Sequence, residues 1–231
     1  MIRIILSGCN GRMGSAITEY CKQDSRFQII AGFFGKTRIN RNYPSFPHPS
    51  ECSLSGDVLI DFSRPDAIEP LLSFTIAHQI PMVLGVTGYS ITQQEAIYTA
   101  GQQIPIFYAA NYSIGANILM RLVSSAAVCL AFGYEADIIE HHHKNKLDSP
   151  SGTALLLSQL IGGNTTINSI RSGSTAGEHK VLFSAEHEML ELTHHADNRS
   201  AYVEGIMRAA KFITRTKDPG IYTMEHLFGT L

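Results

Sequence analysis

The apolar positions of this chain fall into two rhythms that alternate along its first half. Ile2, Ile4, Ile5 and Leu6 form a compact run that stops at Ser7-Gly8, as a buried strand does. Residues 15–23 carry Ile17, Tyr20 and Cys21 at the spacing of one helical face, and residues 27–34 return to a strand-like apolar run. Strand, glycine turn, helix and strand make a βαβ unit, for which a right-handed crossover to a parallel strand is expected. Residues 35–55 are polar, contain Pro44, Pro47 and Pro49, and predict a surface loop with little regular structure. The alternation then resumes. Strands are predicted over 57–62, 82–84 and 104–108, and helices over 67–78, helped to start by Pro65, and 92–100. Strands that alternate with helices define an α/β class with an open, doubly wound parallel sheet.

Beyond Asn111 the rhythm changes. An apolar helix over 114–130 precedes a strand over 136–140, three adjacent histidines, and a second helix after Ser151-Gly152-Thr153. Strands without intervening helices follow at 168–171, 181–183 and 189–193, which predicts a second α+β domain with a mixed or antiparallel sheet. A helix over 201–214 closes the pattern. The expected division is a first domain of residues 1–112, with 200–231 packing back on it, and a second of residues 113–199.

Composition narrows the class. Apolar residues make up 44% of the chain, charged residues 16%, and the formal net charge is −2, as in a compact soluble protein without the basic field of a nucleic-acid binder. Cys9, Cys21, Cys52 and Cys129 are scattered with no C-x-x-C pair, which fits reduced thiols in a cytoplasmic protein. The most apolar later stretch is broken by Asn117 and Arg121, so it reads as a buried helix and not as a membrane span.

Two segments carry chemistry. The first is Gly8-Cys9-Asn10-Gly11-Arg12-Met13-Gly14, a glycine loop between an apolar strand and a helix. Glycines there permit a tight turn and close approach of backbone to phosphate, while the helix N-terminus offers N–H groups to a dinucleotide pyrophosphate. Asn10 departs from the usual G-x-G-x-x-G spacing, and an ordinary strand–helix turn is the competing reading. The Cys9 side chain is expected to face the first strand. After the second strand comes Phe34-Gly35-Lys36-Thr37-Arg38, with no acid to hold a ribose 2′-hydroxyl. Lys36 and Arg38 suit a 2′-phosphate, so NADPH is expected ahead of NADH, unless both are merely solvated loop cations.

The second segment runs Glu140-His141-His142-His143-Lys144-Asn145-Lys146-Leu147-Asp148-Ser149-Pro150-Ser151-Gly152-Thr153. Histidine can deliver a proton near neutral pH, Lys146 adds fixed positive charge, and Ser151-Gly152-Thr153 predicts a helix start able to bind a carboxylate. This suits a small anionic substrate protonated as it is reduced. No metal is expected: adjacent histidines on a strand point to opposite faces, and His187-Glu188-Met189-Leu190-Glu191 lacks a zincin's second histidine. The Tyr-x-x-x-Lys pair of short-chain dehydrogenases is absent, and a nucleotide sensor has no need of His142 and Lys146.

Residues 8–14, Gly85-Val86-Thr87-Gly88, residues 109–117 and above all residues 141–154 resemble the dihydrodipicolinate reductase family. Arg171-Ser172-Gly173, Gly177-Glu178-His179 and residues 193–199 look like the family's later motifs. The resemblance implies His142 as acid/base and Lys146 as proton donor. It implies His143, Gly152 and Thr153, with Ser151 at the same helix start, as the binding site of a dicarboxylate substrate. Gly8, Cys9, Asn10, Gly11, Arg12, Met13, Gly85, Val86, Thr87, Ala109, Ala110, Asn111 and Tyr112 would line the cofactor site. A homotetramer joined through the second domain's sheet, and a place in diaminopimelate and lysine biosynthesis, are implied in the same way.

Overall fold

A computed structural model describes the chain except for residues 36–39, 132, 163–164 and 230–231. In chain order the elements are β1 (Ile2–Ser7), α1 (Arg12–Gln23), β2 (Phe27–Phe33), β3 (Ser45–Phe46), β4 (Val58–Asp61), α2 (Ile68–His78), β5 (Met82–Leu84), α3 (Ile91–Gly101) and β6 (Pro105–Tyr108). Then follow α4 (Ile114–Cys129), β7 (Glu135–His142), α5 (Gly152–Ile161), β8 (Thr166–Arg171), β9 (Gly177–Ser184), β10 (Met189–Ala196), α6 (Ser200–Ile213), β11 (Gly220–Tyr222) and α7 (Met224–Phe228). The chain divides into two compact units, Met1–Tyr112 with Tyr202–Leu231, and Ser113–Ala201.

The first unit is a seven-stranded sheet in the order β11-β6-β5-β4-β1-β2-β3, parallel throughout. Its strands are apolar on both faces because helices cover both. Ile4, Leu6, Val58, Ile60 and Val83 face a core shared with Ile17 of α1 and Val203, Ile206 and Ala210 of α6. Their neighbours Ile5, Leu59, Met82 and Leu84 face Leu71, Leu72 and Phe74 of α2 and Ile97 of α3. The strand order reverses between β1 and β4, and the crevice at the carboxyl ends of such strands is where sheets of this kind bind ligands. This is the doubly wound, Rossmann-like sheet that the alternating pattern predicts.

Local departures have local causes. The loop expected over 35–55 contains the two-residue strand β3, which pairs with the end of β2, and a 3₁₀ turn at Pro49–Glu51. Helix α1 begins at Arg12, three residues before its expected start, with Gly11 in extended conformation as its N-cap. Strand β11 and helix α7 carry no period that the sequence reveals.

The second unit is a four-stranded mixed sheet in the order β10-β9-β7-β8. β10, β9 and β7 pair antiparallel, while β7 and β8 pair parallel across the crossover made by α5. Helices α4 and α5 cover one face, where Leu119, Val123, Ala154 and Leu157 meet Ile138, Val181 and Phe183. Among the described residues no helix is long and apolar enough to cross a membrane.

Candidate active site

In the first unit the carboxyl edge of the sheet gathers most of the expected cofactor residues. Gly8 follows β1 at φ +73, and a Cβ there would lie 2.5 Å from the Phe62 carbonyl oxygen just beyond β4. A Cβ on Gly14 would lie 2.3 Å from the Gly8 carbonyl, and one on Gly11 3.2 Å from it. The loop therefore folds against its own backbone and against β4 in a way that side chains would block. Gly8 and Cys9 donate their amides to Phe33, tying the loop to β2. The first-turn amides of α1, from Arg12 onward, have no acceptor one turn back. A tight backbone and a helix N-terminus are what a pyrophosphate requires, so these residues fit a dinucleotide.

Cys9 is fully buried, and burial raises its thiol pKa. Its sulfur would lie 3.0 Å from a Cβ on Gly32 of β2, in the core that Ile4 and Leu6 of β1 share. Gly85 follows β5 beneath the Phe62 ring, 2.1 Å from where its Cβ would lie. Val86 is buried, whereas Thr87 and Ala110 are exposed. Tyr112 is buried and donates its hydroxyl to the Leu84 carbonyl at 2.7 Å. Its ring meets Phe62 edge-on, so Tyr112 supports this edge from below. Lys36, the expected 2′-phosphate contact, and Arg38 lie outside the described residues. Arg41 is a residue that the sequence did not single out: its guanidinium donates to the Cys9 carbonyl at 2.6 Å and to Ser15 Oγ at 2.9 Å.

In the second unit β7 sorts the three histidines by face. His141 lies on the outer face and meets Ser172 Oγ at 2.8 Å. His142 points inward, 6% exposed, and hydrogen-bonds through Nδ1 to Glu140 Oε2. His143 lies just past the strand, its amide donating to Thr175. Glu140 is fully buried, and its Oε1 accepts from Arg171 Nη2 at 2.6 Å and from the Ser151 amide at 3.2 Å. Burial alone would raise its pKa, but hydrogen bonds from Arg171 and His142 bring it down to about 2. Burial lowers the pKa of His142, while Glu140 opposes that shift.

Ser151 caps α5, its Oγ accepting from the Ala154 amide and meeting His179 Nε2, each at 3.2 Å. Ser113 caps α4 in the same manner and meets His194 Nε2 at 3.1 Å. His179 and His194 stack, 6.4 Å between centroids. Burial pushes the His179 pKa down to about 3 and lowers that of His194 as well. Gly152 opens α5, and nothing lies within 4 Å of where its Cβ would be. Lys146 is half-buried and pairs with Asp148 at 2.9 Å. Glu140, His142 and His179 bring potential ligand atoms within 4.8 Å of one another. The cation already paired with that carboxylate is Arg171.

Glu140, Arg171, His179 and His194 are functional candidates that the motif reading did not assign. Period-2 alternation was the available signal for Glu140, since it shares the inner face of β7 with Ile138 and His142. Arg171 comes opposite His142 only through the β7–β8 register.

A doubly wound sheet with a glycine loop at its switch point, together with a separate unit carrying a buried histidine–carboxylate pair, is the outline of a nicotinamide-dependent oxidoreductase. Comparison with known proteins supplies the family. A family model described as Dihydrodipicolinate reductase, N-terminus, matches residues 2–112, and one described as Dihydrodipicolinate reductase, C-terminus, matches residues 115–228. The chain is 37% identical over 246 residues to the 4-hydroxy-tetrahydrodipicolinate reductase of Clostridium novyi, with 97% of each chain covered. It is 35% identical over 233 residues to that of Xanthomonas campestris pv. campestris, covering 98% of this chain and 97% of the relative. The chain belongs to the dihydrodipicolinate reductase family. A dipicolinate-bound dihydrodipicolinate reductase from Paenisporosarcina sp. TG-14 shares the fold, with a TM-score of 0.84, 21% identity, and coverage of 96% of this chain and 97% of that one.

Proposed function

We propose that the chain reduces the dipicolinate-type precursor to tetrahydrodipicolinate, in the route to diaminopimelate and lysine, with NADPH as the preferred electron donor. The observation that carries this reading is His142, a buried imidazole bonded to Glu140 beside the start of α5. The relatives bear the name of that reaction, and the structural neighbour is described as dipicolinate-bound.

When bound, the nicotinamide supplies the hydride. Gly8, Cys9, Asn10, Gly11, Arg12 and Met13 present the tight backbone and first-turn amides that hold the pyrophosphate. Gly85, Val86, Thr87, Ala109, Ala110, Asn111 and Tyr112 shape the rest of that edge. His142 serves as acid/base, and Lys146 delivers the proton that quenches charge on the reduced ring. His143, Ser151, Gly152 and Thr153 hold the two carboxylates, with α5 amides as donors and an open approach over Gly152. NADPH is favoured over NADH because no acid follows β2, Lys36 stands in that loop, and Arg41 brings a guanidinium to the glycine loop.

The face of the second unit's sheet opposite α4 and α5 carries Ile139, Ile170, Leu182 and Met189 between charged neighbours, which supports a homotetramer. Sedimentation equilibrium should read four times the 25.3 kDa chain mass. The reaction is tested by following NADPH absorbance with the precursor generated in the cuvette. Loss of absorbance only with precursor, and a kcat lower by about a hundredfold or more in His142→Gln, are expected. NADPH binding without turnover would refute the assignment and favour a nucleotide sensor.

A further inference from the structure

We propose that Glu140 is a positioning residue of this site: it fixes His142 as the Nδ1–H tautomer, so that Nε2 is the nitrogen that exchanges a proton. Its consequence for turnover rests on the acid/base role proposed for His142, whereas the tautomer itself rests on geometry alone.

Glu140 and His142 stand two residues apart on β7, so both side chains leave the same face of the strand. Glu140 is fully buried and its two oxygens are divided between partners. Oε1 takes Arg171 Nη2 and the Ser151 amide, and Oε2 takes His142 Nδ1. All three are hydrogen-bond donors, so the carboxylate is compensated in its anionic form. An ionised carboxylate can only accept. Nδ1 must therefore carry the hydrogen, because its lone pair would otherwise face the oxygen at contact distance.

The ring's other nitrogen is left unencumbered by β9. A Cβ on Gly177 would lie 3.0 Å from His142 Nε2, and glycine keeps that approach clear. Among the described residues, four charged or titratable groups act on the ring. They are Glu140 on β7, Arg171 on β8, His179 on β9, whose ring lies 5.1 Å away, and Lys146 beyond β7. Arg171 and Lys146 lower the basicity of His142, as burial does, and Glu140 is the group that raises it. A carboxylate behind a working histidine thus sets both tautomer and proton affinity. Arg171 holds Glu140 in place from the neighbouring strand, and the Ser151 amide links it to the start of α5.

The direct test is a long-range ¹H–¹⁵N spectrum of the full chain labelled at histidine, with His142 assigned by the loss of its signals in His142→Gln. Above the ring's pKa, a protonated Nδ1 and an unprotonated Nε2 are expected; an Nε2–H form, or an average of the two, overturns the proposal. In turnover, Glu140→Gln should lower kcat about tenfold or more with KM nearly unchanged. It should also move the limb of the pH profile set by His142 to lower pH. Glu140→Asp, which keeps the charge, should recover part of the loss. Wild-type kcat and pH profile in Glu140→Gln would overturn the proposal, as would a lower kcat with an unmoved pH profile and tautomer. If Glu140→Gln does not fold, the wild-type spectrum decides alone. A wild-type enzyme that leaves the precursor unreduced defeats the proposed reaction only, and the tautomer is still read from the same spectrum.

Discussion

A single methyl group at residue 14 tests whether the glycine loop is held by backbone packing. In Gly14→Ala the new Cβ would lie 2.3 Å from the Gly8 carbonyl oxygen, 2.8 Å from Cys9 Cα and 2.9 Å from Cys9 C. Carbon contacts settle near 3.5 Å, so loop and helix must part by about 1 Å. All three obstructing atoms belong to the backbone, and none can rotate away. The loop cannot retreat easily, because its amides are tied to Phe33 and Gly8 already rests against Phe62. Overpacking of this kind costs about 1–3 kcal/mol. At roughly 2–4 °C per kcal/mol for a chain of this size, Tm should fall by about 2–12 °C. Affinity for NADPH should fall further, about a hundredfold, since the displaced atoms are those proposed to meet the pyrophosphate. Circular dichroism melting and a fluorescence titration with NADPH measure the two effects. Gly133→Ala is the control: φ is +83 there with nothing within 4 Å, so it should cost about 1 kcal/mol of strain and leave NADPH affinity alone. A Gly14→Ala protein with wild-type Tm and NADPH affinity would refute the packing argument.

The remaining predictions concern both units. Ser151→Ala removes the cap on Ala154 and the partner of His179, and should cost about 1 kcal/mol in urea unfolding. Arg41→Ala should weaken NADPH about tenfold and NADH much less, read as the ratio of the two dissociation constants. Acid should destabilise the second unit early. His179 has a folded pKa of about 3 against 6.5 when exposed, so the unfolded chain takes up the proton first as pH falls. Its stabilising effect is whole above 6.5 and is lost between 6.5 and 3, about 2 kcal/mol by pH 5. Glu140, with its pKa held near 2 against an ordinary 4.5, loses its contribution as pH falls from 4.5 to 2, so the two losses overlap between 4.5 and 3. Urea midpoints from pH 7 to 4 should fall in the wild type and flatten in His179→Gln; a pH-independent wild-type midpoint would contradict this.

The parts of the fold written plainly in the sequence are those buried on both sides. Ile4 to Leu6, Val58 to Ile60 and Met82 to Leu84 are short apolar runs because each face of the sheet has its own core, and run length alone separates them from helices. Strand β3 is two residues long, and β11 is half-buried and begins with glycine, so neither has a pattern to read. Their places come from pairing with β2 and β6, which is not local information. The site divides in the same way. His142, Lys146 and Ser151-Gly152-Thr153 are neighbours in sequence and form a motif. Arg171 and His179 reach Glu140 and His142 from other strands through register and packing, which composition and spacing do not encode.

The two-part division of the first unit has a consequence for how the chain is made. Strand β6 pairs with β11, Pro105 opposite Gly220, so the outermost strand of a parallel sheet is synthesised after the whole of the second unit. The α6 side chains that complete one face of the core arrive equally late. On the ribosome, β1 to β6 must wait with Ile4, Leu6 and Val83 incompletely covered while residues 113–201 emerge. If the second unit folds first, it shortens the span of loose chain that must close before β11 can pair, and the entropy of that closure falls accordingly. The inserted unit would then act, during synthesis, as a clasp for the unit that carries it.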